Sequence, residues 1–347
     1  MAAAALACLM FAAASAQAAP TYRIKDLGVG PDGYSSQGLA INDQGTVVGW
    51  IQKQQYGDHY AVAFQPDGSI VFLGALPGDT ASFATGINNL GQIVGYSGPS
   101  DSPGAFLYDP VTGMQALGSF DPAHRYSMAA GISDNGTVVG QSNTVDGVPH
   151  AFTWTAATGM VDPFPKKGAA DASGINASGQ WVGHYDKTDA TIGVRVSAEG
   201  KVNQLGAFSP LAPYSYGKGI NSKGQVAGYS ADPDTFASRA FLWDKKKGLI
   251  DIGVLPGGLY SNALKVNDAG QVVGIADKPA RRGSTNVPFY YDKKTGMVDV
   301  STLIDPADPL YGKVQFDAGQ GINNHGVIVT NGIQGEDYHA YLLIPVE

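Results

Sequence analysis

One ten-residue pattern, G-I-N-x-x-G-x-V-V-G, returns seven times along the chain. A period of this kind marks a fold built from like units that bury their apolar faces on one another. Its central apolar residue stands at Ile41, Ile87, Ile132, Ile175, Ile220, Val266 and Ile322, so that successive copies are 46, 45, 43, 45, 46 and 56 residues apart. Asn follows in six copies and Ser133 in the third, and four positions after the apolar residue there is Gly in all seven, from Gly45 to Gly326. Asn or Ser opens a turn and Gly closes it in the left-handed conformation. β-branched pairs such as Val47-Val48 and Ile93-Val94 then make each copy a β-hairpin. Three positions before the apolar residue every copy has Gly or Ala, from Gly38 to Gly319. Such a strand must run close to other backbones, as the innermost strand of a radial assembly does.

Two further strands complete each unit. One reads like His150-Ala151-Phe152-Thr153-Trp154 or Arg239-Ala240-Phe241-Leu242-Trp243, and after a short turn the next reads like Asp251-Ile252-Gly253. Four short strands in about 45 residues fit a propeller blade. The ends argue for closure: Tyr22 to Gly28 is a lone copy of the fourth strand, and His339 to Pro345 a lone copy of the third. Joined in one blade, they cover two bare edges. The fold expected is therefore all-β, a seven-bladed β-propeller whose last blade is closed by the N-terminal strand, with residues 20–347 as a single domain.

These residues resemble the HAF-type extracellular repeat family, whose pattern is close to His-Ala-Phe-x-Trp, Asp-Leu-Gly and Gly-Ile-Asn-x-x-Gly-x-Val-Val-Gly. The resemblance covers nearly the whole chain after residue 19. Copies four and six depart most, with Gly193-Val194-Arg195 in place of Ala-Phe-x and Lys265 in place of the Gly before the apolar residue. The resemblance implies export and a repeat architecture, and no particular reaction.

Residues 1–19 are small or apolar and uncharged, and Ala16-Gln17-Ala18 fits a small-x-small cleavage site. A signal peptide and a secreted or periplasmic protein are expected. Cys8, the only cysteine, falls inside that segment, so the rest of the chain has no disulfide. A net charge of −8 without a basic run argues against nucleic acid and anionic membranes as partners. The expected state is a monomer with no membrane span.

Alternating connections put the tight N-x-x-G and D-x-x-x-G turns on one face and the longer, variable loops on the other, where function usually resides. Ser stands five positions before the apolar residue in five copies (Ser36, Ser82, Ser127, Ser215, Ser261), preceded by Tyr126, Tyr214 and Tyr260; Phe316 holds the aromatic place in the last copy. This set either caps strands and packs between blades or forms an aromatic and hydroxyl rim for a sugar or similar flat ligand. His124-Arg125, Arg281-Arg282 and the long last spacing with Asp305, Asp308 and Tyr311 are peculiar to single copies and suit an anion-binding mouth.

The ligand-binding set expected is thus Tyr126, Tyr214, Tyr260, Phe316, Arg125 and Arg282. The leading expectation is a binding or interaction module for a glycan or other extracellular ligand. The alternative is a lyase or hydrolase acting on an anionic polymer with His124, Arg125, Tyr126 and Arg281, and a third is a structural envelope protein. No G-x-S-x-G, H-E-x-x-H or cysteine ligand set occurs. No cofactor is predicted; calcium stays open through Asp232-Pro233-Asp234, which lacks a full ligand spacing.

Overall fold

A computed structural model describes residues 19–232, 234–235, 237–281 and 283–346. The expected signal segment up to residue 18, Cys8, Pro233 and Arg282 lie outside the described residues. Each of the seven repeats is a four-stranded antiparallel sheet, and neighbouring sheets pack face to face around a central axis. In blade one the strands from axis to rim are Ser35–Ile41, Val47–Gln52, His59–Phe64 and Ile70–Phe72. Blade seven draws its inner three strands from Gln315–Ile322, Ile328–Gln334 and Asp337–Val346, and its outermost strand is Thr21–Asp26. Tyr22 lies opposite Pro345 and Asp26 opposite Tyr341, so both chain ends share one sheet. Apolar cores between successive blades surround the axis, with Phe106, Phe152, Phe241 and Phe289 of the Ala-Phe strands fully buried in them.

The repeat motif follows from how closely the inner strands crowd the axis. In all seven blades the register of the inner pair shifts just before the central apolar residue; in blade one Gly38 pairs with Gly49 and Ala40 with Val48, leaving Leu39 unpaired. This is a β-bulge, which re-aims one side chain. The Gly that ends the motif makes room for it: a Cβ on Gly49 would lie 1.8 Å from the Gln37 carbonyl oxygen, an impossible approach.

Three sets of polar contacts tie blade to blade. On the tight-turn face each Asn of the motif has two roles. Asn88 Oδ1 accepts from the Gln92 N–H at 2.9 Å and so holds its own turn, while its Nδ2 donates to the Ser133 carbonyl of the next blade at 3.0 Å. The same cross-blade bond runs from Asn42 to Asn88, Asn176 to Asn221, Asn221 to Asn267, Asn267 to Asn323 and Asn323 back to Asn42, at 2.8 to 3.2 Å. Ser133 is too short to extend the series to blade four. A parallel set beside it joins the Asp43 N–H to Asn89 Oδ1 and the Asn324 N–H to Asp43 Oδ1.

On the loop face the repeated Ser residues are the third set. Ser82 Oγ accepts from the Ala61 N–H at 2.9 Å and donates to the Gly74 carbonyl at 2.7 Å, both in blade one. Ser36, Ser127 and Ser261 repeat both bonds, and Ser215 accepts from the Gly193 N–H. Blade four starts with Ala170 instead, so the seam between blades three and four lacks the Asn bond and the Ser staple together. Phe164 fills that seam, 5.6 Å from Trp181 and 5.4 Å from Tyr185 between ring centres.

The His-Ala-Phe and Asp-Leu-Gly signatures are two halves of one rung between the outer strands. His150 Nδ1 lies 2.7 Å from Asp162, His339 Nδ1 3.0 Å from Asp26, and in blade five Arg239 Nε takes the same place, 2.8 Å from Asp251. In blade seven this rung clasps the two chain ends, and the bond to Asp26 holds the His339 imidazolium above its ordinary pKa.

Two predictions follow from these contacts. A histidine raised above its unfolded value of about 6.5 stabilises fully below that value and loses its contribution as pH rises through the folded one. The urea midpoint should therefore drop between about pH 6.5 and the raised pKa, and His339→Gln should remove that part of the slope; parallel pH profiles for the two proteins would refute the clasp. Ser133→Asn should complete the Asn series and add about 0.5–1.5 kcal/mol, read from urea unfolding, with a loss of stability as the contrary result.

Candidate binding site at the channel mouth

The bulges decide what faces the axis. Leu39, Thr85, Ala130, Ser173, Lys218, Leu264 and Gln320, the unpaired residue of each inner strand, all line one chamber in the loop-face half of the channel, with a volume of about 370 Å³. Tyr96, Met128, Gln141 and Asp171 form its upper wall. Below it the channel narrows to a space of about 120 Å³ between the motif residues, and Lys265 borders both.

Two aromatic stacks stand on the inner strands, and of their rings Tyr96 lines the chamber. Phe83 stacks on Tyr96 at 4.8 Å, and His59 lies 4.9 Å from Phe83 across the seam from blade one. In blade five Tyr216 stacks on Tyr229 at 4.9 Å, and His184 of blade four meets Tyr216 edge-on at 4.8 Å. Phe83, Met128, Asp171 and Tyr216 each follow the staple position by one residue. A strand turns successive side chains to opposite sides, so burying the Ser in the seam turns its successor toward the axis. Burial pushes the Tyr229 hydroxyl up to about 12, helped by Tyr216 and Asp171. Burial also raises Tyr96, with the Tyr126 hydroxyl close enough to add to it.

The charged groups of the chamber come from blades four, five and six. Asp171 Oδ1 accepts from Ser173 Oγ at 2.8 Å and lies 3.0 Å from His184 Nδ1, an ion-pair distance without the alignment of a hydrogen bond. Burial opposes ionisation of Asp171, but His184, Lys218 and Ser173 outweigh it and hold the carboxyl below its ordinary range. Burial and the nearby Lys218 lower the pKa of Lys265. Asp171 and Lys265 are enclosed by protein yet keep some surface open, so the water that reaches them is channel water.

The residues expected from the sequence are spread more widely. Tyr126, His124 and Arg125 border a separate groove of about 610 Å³ between blades two and three. His124 is 88% exposed in its side chain, with Nδ1 3.0 Å from Asp121. Arg125 is fully engaged: Nη2 lies 2.9 and 3.2 Å from the two oxygens of Asp79, and Nε donates to the Ser102 carbonyl at 3.0 Å. Tyr214 is 43% exposed, Tyr260 donates to Asn286 Oδ1, and Phe316 is 5% exposed, edge-on to Tyr341 in the core. Arg281 is exposed in the blade-six loop and takes no part in the groove beside His124.

The extra residues of the last spacing hold the N-terminal strand. Asp308 accepts from the Ile24 N–H at 2.9 Å, and the Asp305 N–H donates to the Tyr22 carbonyl at 2.8 Å. Asp232 spends its oxygens on Asp234, Thr235 and Arg239, which bring its pKa down to about 2. Among the described residues no group of three or more His, Cys, Asp or Glu is placed to hold a metal.

Sequence reasoning missed the bulge residues and Asp171 with His184. The signal was present: the residue between the two small ones varies from copy to copy, with Lys218 as its one charge, and Lys265 replaces the second small residue in copy six.

No family model matches the chain, and no curated protein matches it at a significant level. Solved structures do. A streptogramin B lyase is similar with a TM-score of 0.58 at 9% identity, covering 94% of this chain and 98% of that one. A virginiamycin B lyase from Staphylococcus aureus gives 0.58 at 10% identity over 94% and 100%. The β-propeller domain of the Trilobed protease from Pyrococcus furiosus, described as having an open velcro topology, gives 0.58 at 11% identity over 90% and 93%. The likeness is one of fold. All three are propeller-like in architecture to this chain, whose own last blade is closed by its N-terminal strand. No helix among the described residues is long and apolar enough to cross a membrane.

Arg125 serves as a test of the groove. Arg125→Ala leaves the half-buried Asp79 carboxylate with only the Ser97 hydroxyl as side-chain partner and should cost about 1–3 kcal/mol of stability in a thermal or urea melt. Unchanged stability would show that the Arg125–Asp79 pair is not a structural clamp.

Proposed function

We propose that this protein is an exported binding module that takes a glycan, or another extracellular ligand presenting a flat ring, in the chamber at the loop-face mouth of the channel. One observation carries the reading: the chamber of about 370 Å³ has in its wall the Tyr96 ring, stacked on Phe83, and Lys218, two residues beyond the Tyr216 ring that stacks on Tyr229, and it offers hydroxyl and amide groups from Thr85, Ser173 and Gln320. Apolar ring faces with a few polar groups at fixed places are what sugar recognition needs. The alanine-rich start with Ala16-Gln17-Ala18 and the likeness to extracellular repeats support export to the periplasm or beyond. A single closed ring, with its N-terminal edge already paired, is consistent with a monomer.

The test is a glycan array joined to thermal shift on the purified protein, with and without calcium. Tyr96→Ala and Tyr229→Ala should each weaken a hit by roughly tenfold or more, the usual scale for truncating a buried aromatic anchor, while Tyr214→Ala on the outer loops should leave it nearly unchanged. No hit across neutral and acidic sugars, or hits indifferent to both tyrosines, would sink the reading.

A second reading, a lyase or hydrolase working in the same chamber, is favoured by Asp171 beside His184. A carboxylate next to an imidazole can orient it and support it as a general base. His184→Ala should then abolish turnover of a bound saccharide while leaving its affinity within a few-fold.

A further inference from the structure

The seven bulge residues and their successors bring only two charges to the axis, and both are cationic: Lys218 of blade five and Lys265 of blade six. Packing does not call for Lys265, since the other six copies have Ala or Gly at that place, from Ala40 to Gly321. The seam there is tight: a Cβ on Gly219 would lie 2.6 Å from the Leu264 carbonyl oxygen and 2.8 Å from Lys265 Cα. With its backbone pressed against blade five, the Lys265 side chain is directed to the channel.

Neither ammonium makes a direct ion pair, although Asp171 acts on Lys218 at longer range, with Ser173 between them. Lys218 Nζ reaches Ser173 Oγ at 3.4 Å, above the Tyr216 ring, and among the described residues it has no carboxylate partner. The Lys265 side chain has neither an ion pair nor a hydrogen bond among them. The one carboxylate of the chamber, Asp171, is held by Ser173 and His184. Like charges brought together in an enclosed space repel, and the depression of the Lys265 pKa by burial and Lys218 reports that cost. The chain as a whole carries a net −8, so this is a local cationic seat in an acidic protein.

We infer that an anionic group of the ligand, the carboxylate or sulfate of an acidic saccharide, sits between Lys218 and Lys265 while the sugar ring lies against the aromatic wall. The inference rests on the glycan reading and deepens it by naming the charge. Two lysines are point charges with rotatable donors and accept either oxyanion, whereas a planar arginine fork would select for bidentate geometry.

Titration calorimetry would compare a neutral oligosaccharide, oligogalacturonate and a sulfated oligosaccharide of equal length, together with sodium acetate and sodium sulfate. The proteins are the wild type, Lys218→Met, Lys265→Ala (the residue that copy one has there) and Lys223→Met. Lys223 lies on the opposite face with its Nζ on the Asp268 carbonyl, and controls for loss of charge alone. A melt of each variant verifies folding.

The expected result is preference for an acidic saccharide, lost by about tenfold or more in each channel variant, weakened by salt and unchanged in Lys223→Met; the better of the two acidic arms tells carboxylate from sulfate. Equal binding of neutral and acidic saccharides by all four proteins would overturn the anion seat and leave the glycan reading standing. Binding of acetate or sulfate that needs Lys218 and Lys265, with no saccharide bound, would keep the seat and overturn the glycan reading. No anion bound by the wild type overturns the seat.

Discussion

A single buried amide, repeated around the axis, carries much of this architecture. Each motif Asn closes its own turn through Oδ1 and reaches the next blade through Nδ2, so the bond that finishes one hairpin also fixes its distance from the neighbour. The residue is buried at the tight-turn face, where an unpaired amide would cost roughly 1–3 kcal/mol. Local turn and global ring are therefore satisfied together or not at all. That is the kind of agreement between levels that gives a sequence one structure.

The series is broken at one seam, and the break shows how the ring manages without it. Between blades three and four, Ser133 replaces the Asn and Ala170 replaces the staple Ser. An aromatic core of Phe164, Trp181 and Tyr185 stands there instead, with Lys167 over the Tyr185 ring at 4.9 Å. Apolar burial is non-directional, so it can hold two blades without the geometric precision of the amide bonds. The seam between blades seven and one has every polar tie and adjoins the blade in which the chain ends are clasped. Rigidity is thus placed where the ring would otherwise open.

The site is a by-product of crowding at the same axis. Seven strands cannot all stay regular so close together; each skips one residue, and the skipped side chain has nowhere to go but the channel. Small residues stand on either side except at Lys265, and Gly49 and its counterparts in blades two to six leave space for the partner strand's carbonyl. The bulge residue is released from packing, so it is free to vary, and the chamber takes much of its chemistry from it.

The seven-fold recurrence, the turn chemistry of Asn and Gly, and the matching half-blades at the two ends determined the propeller from sequence alone, because each is a local pattern with a fixed backbone consequence. The recurring His of the third strand was legible too, at His150 and His339, but its pairing with Asp162 and Asp26 is set by the register of the outer strands. The facing of the inner strand was not. Reading the Ser and its preceding Tyr as the rim assumes a regular strand end, but the inter-blade staple turns Ser36, Ser82 and Ser127 into the seam and their successors toward the axis. Arg125 looked free because its partner, Asp79, is 46 residues away in another blade. Asp171, Lys218 and Lys265 come from three successive blades and share no linear motif, so only the packing of those blades brings them to one chamber, with His184 behind Asp171.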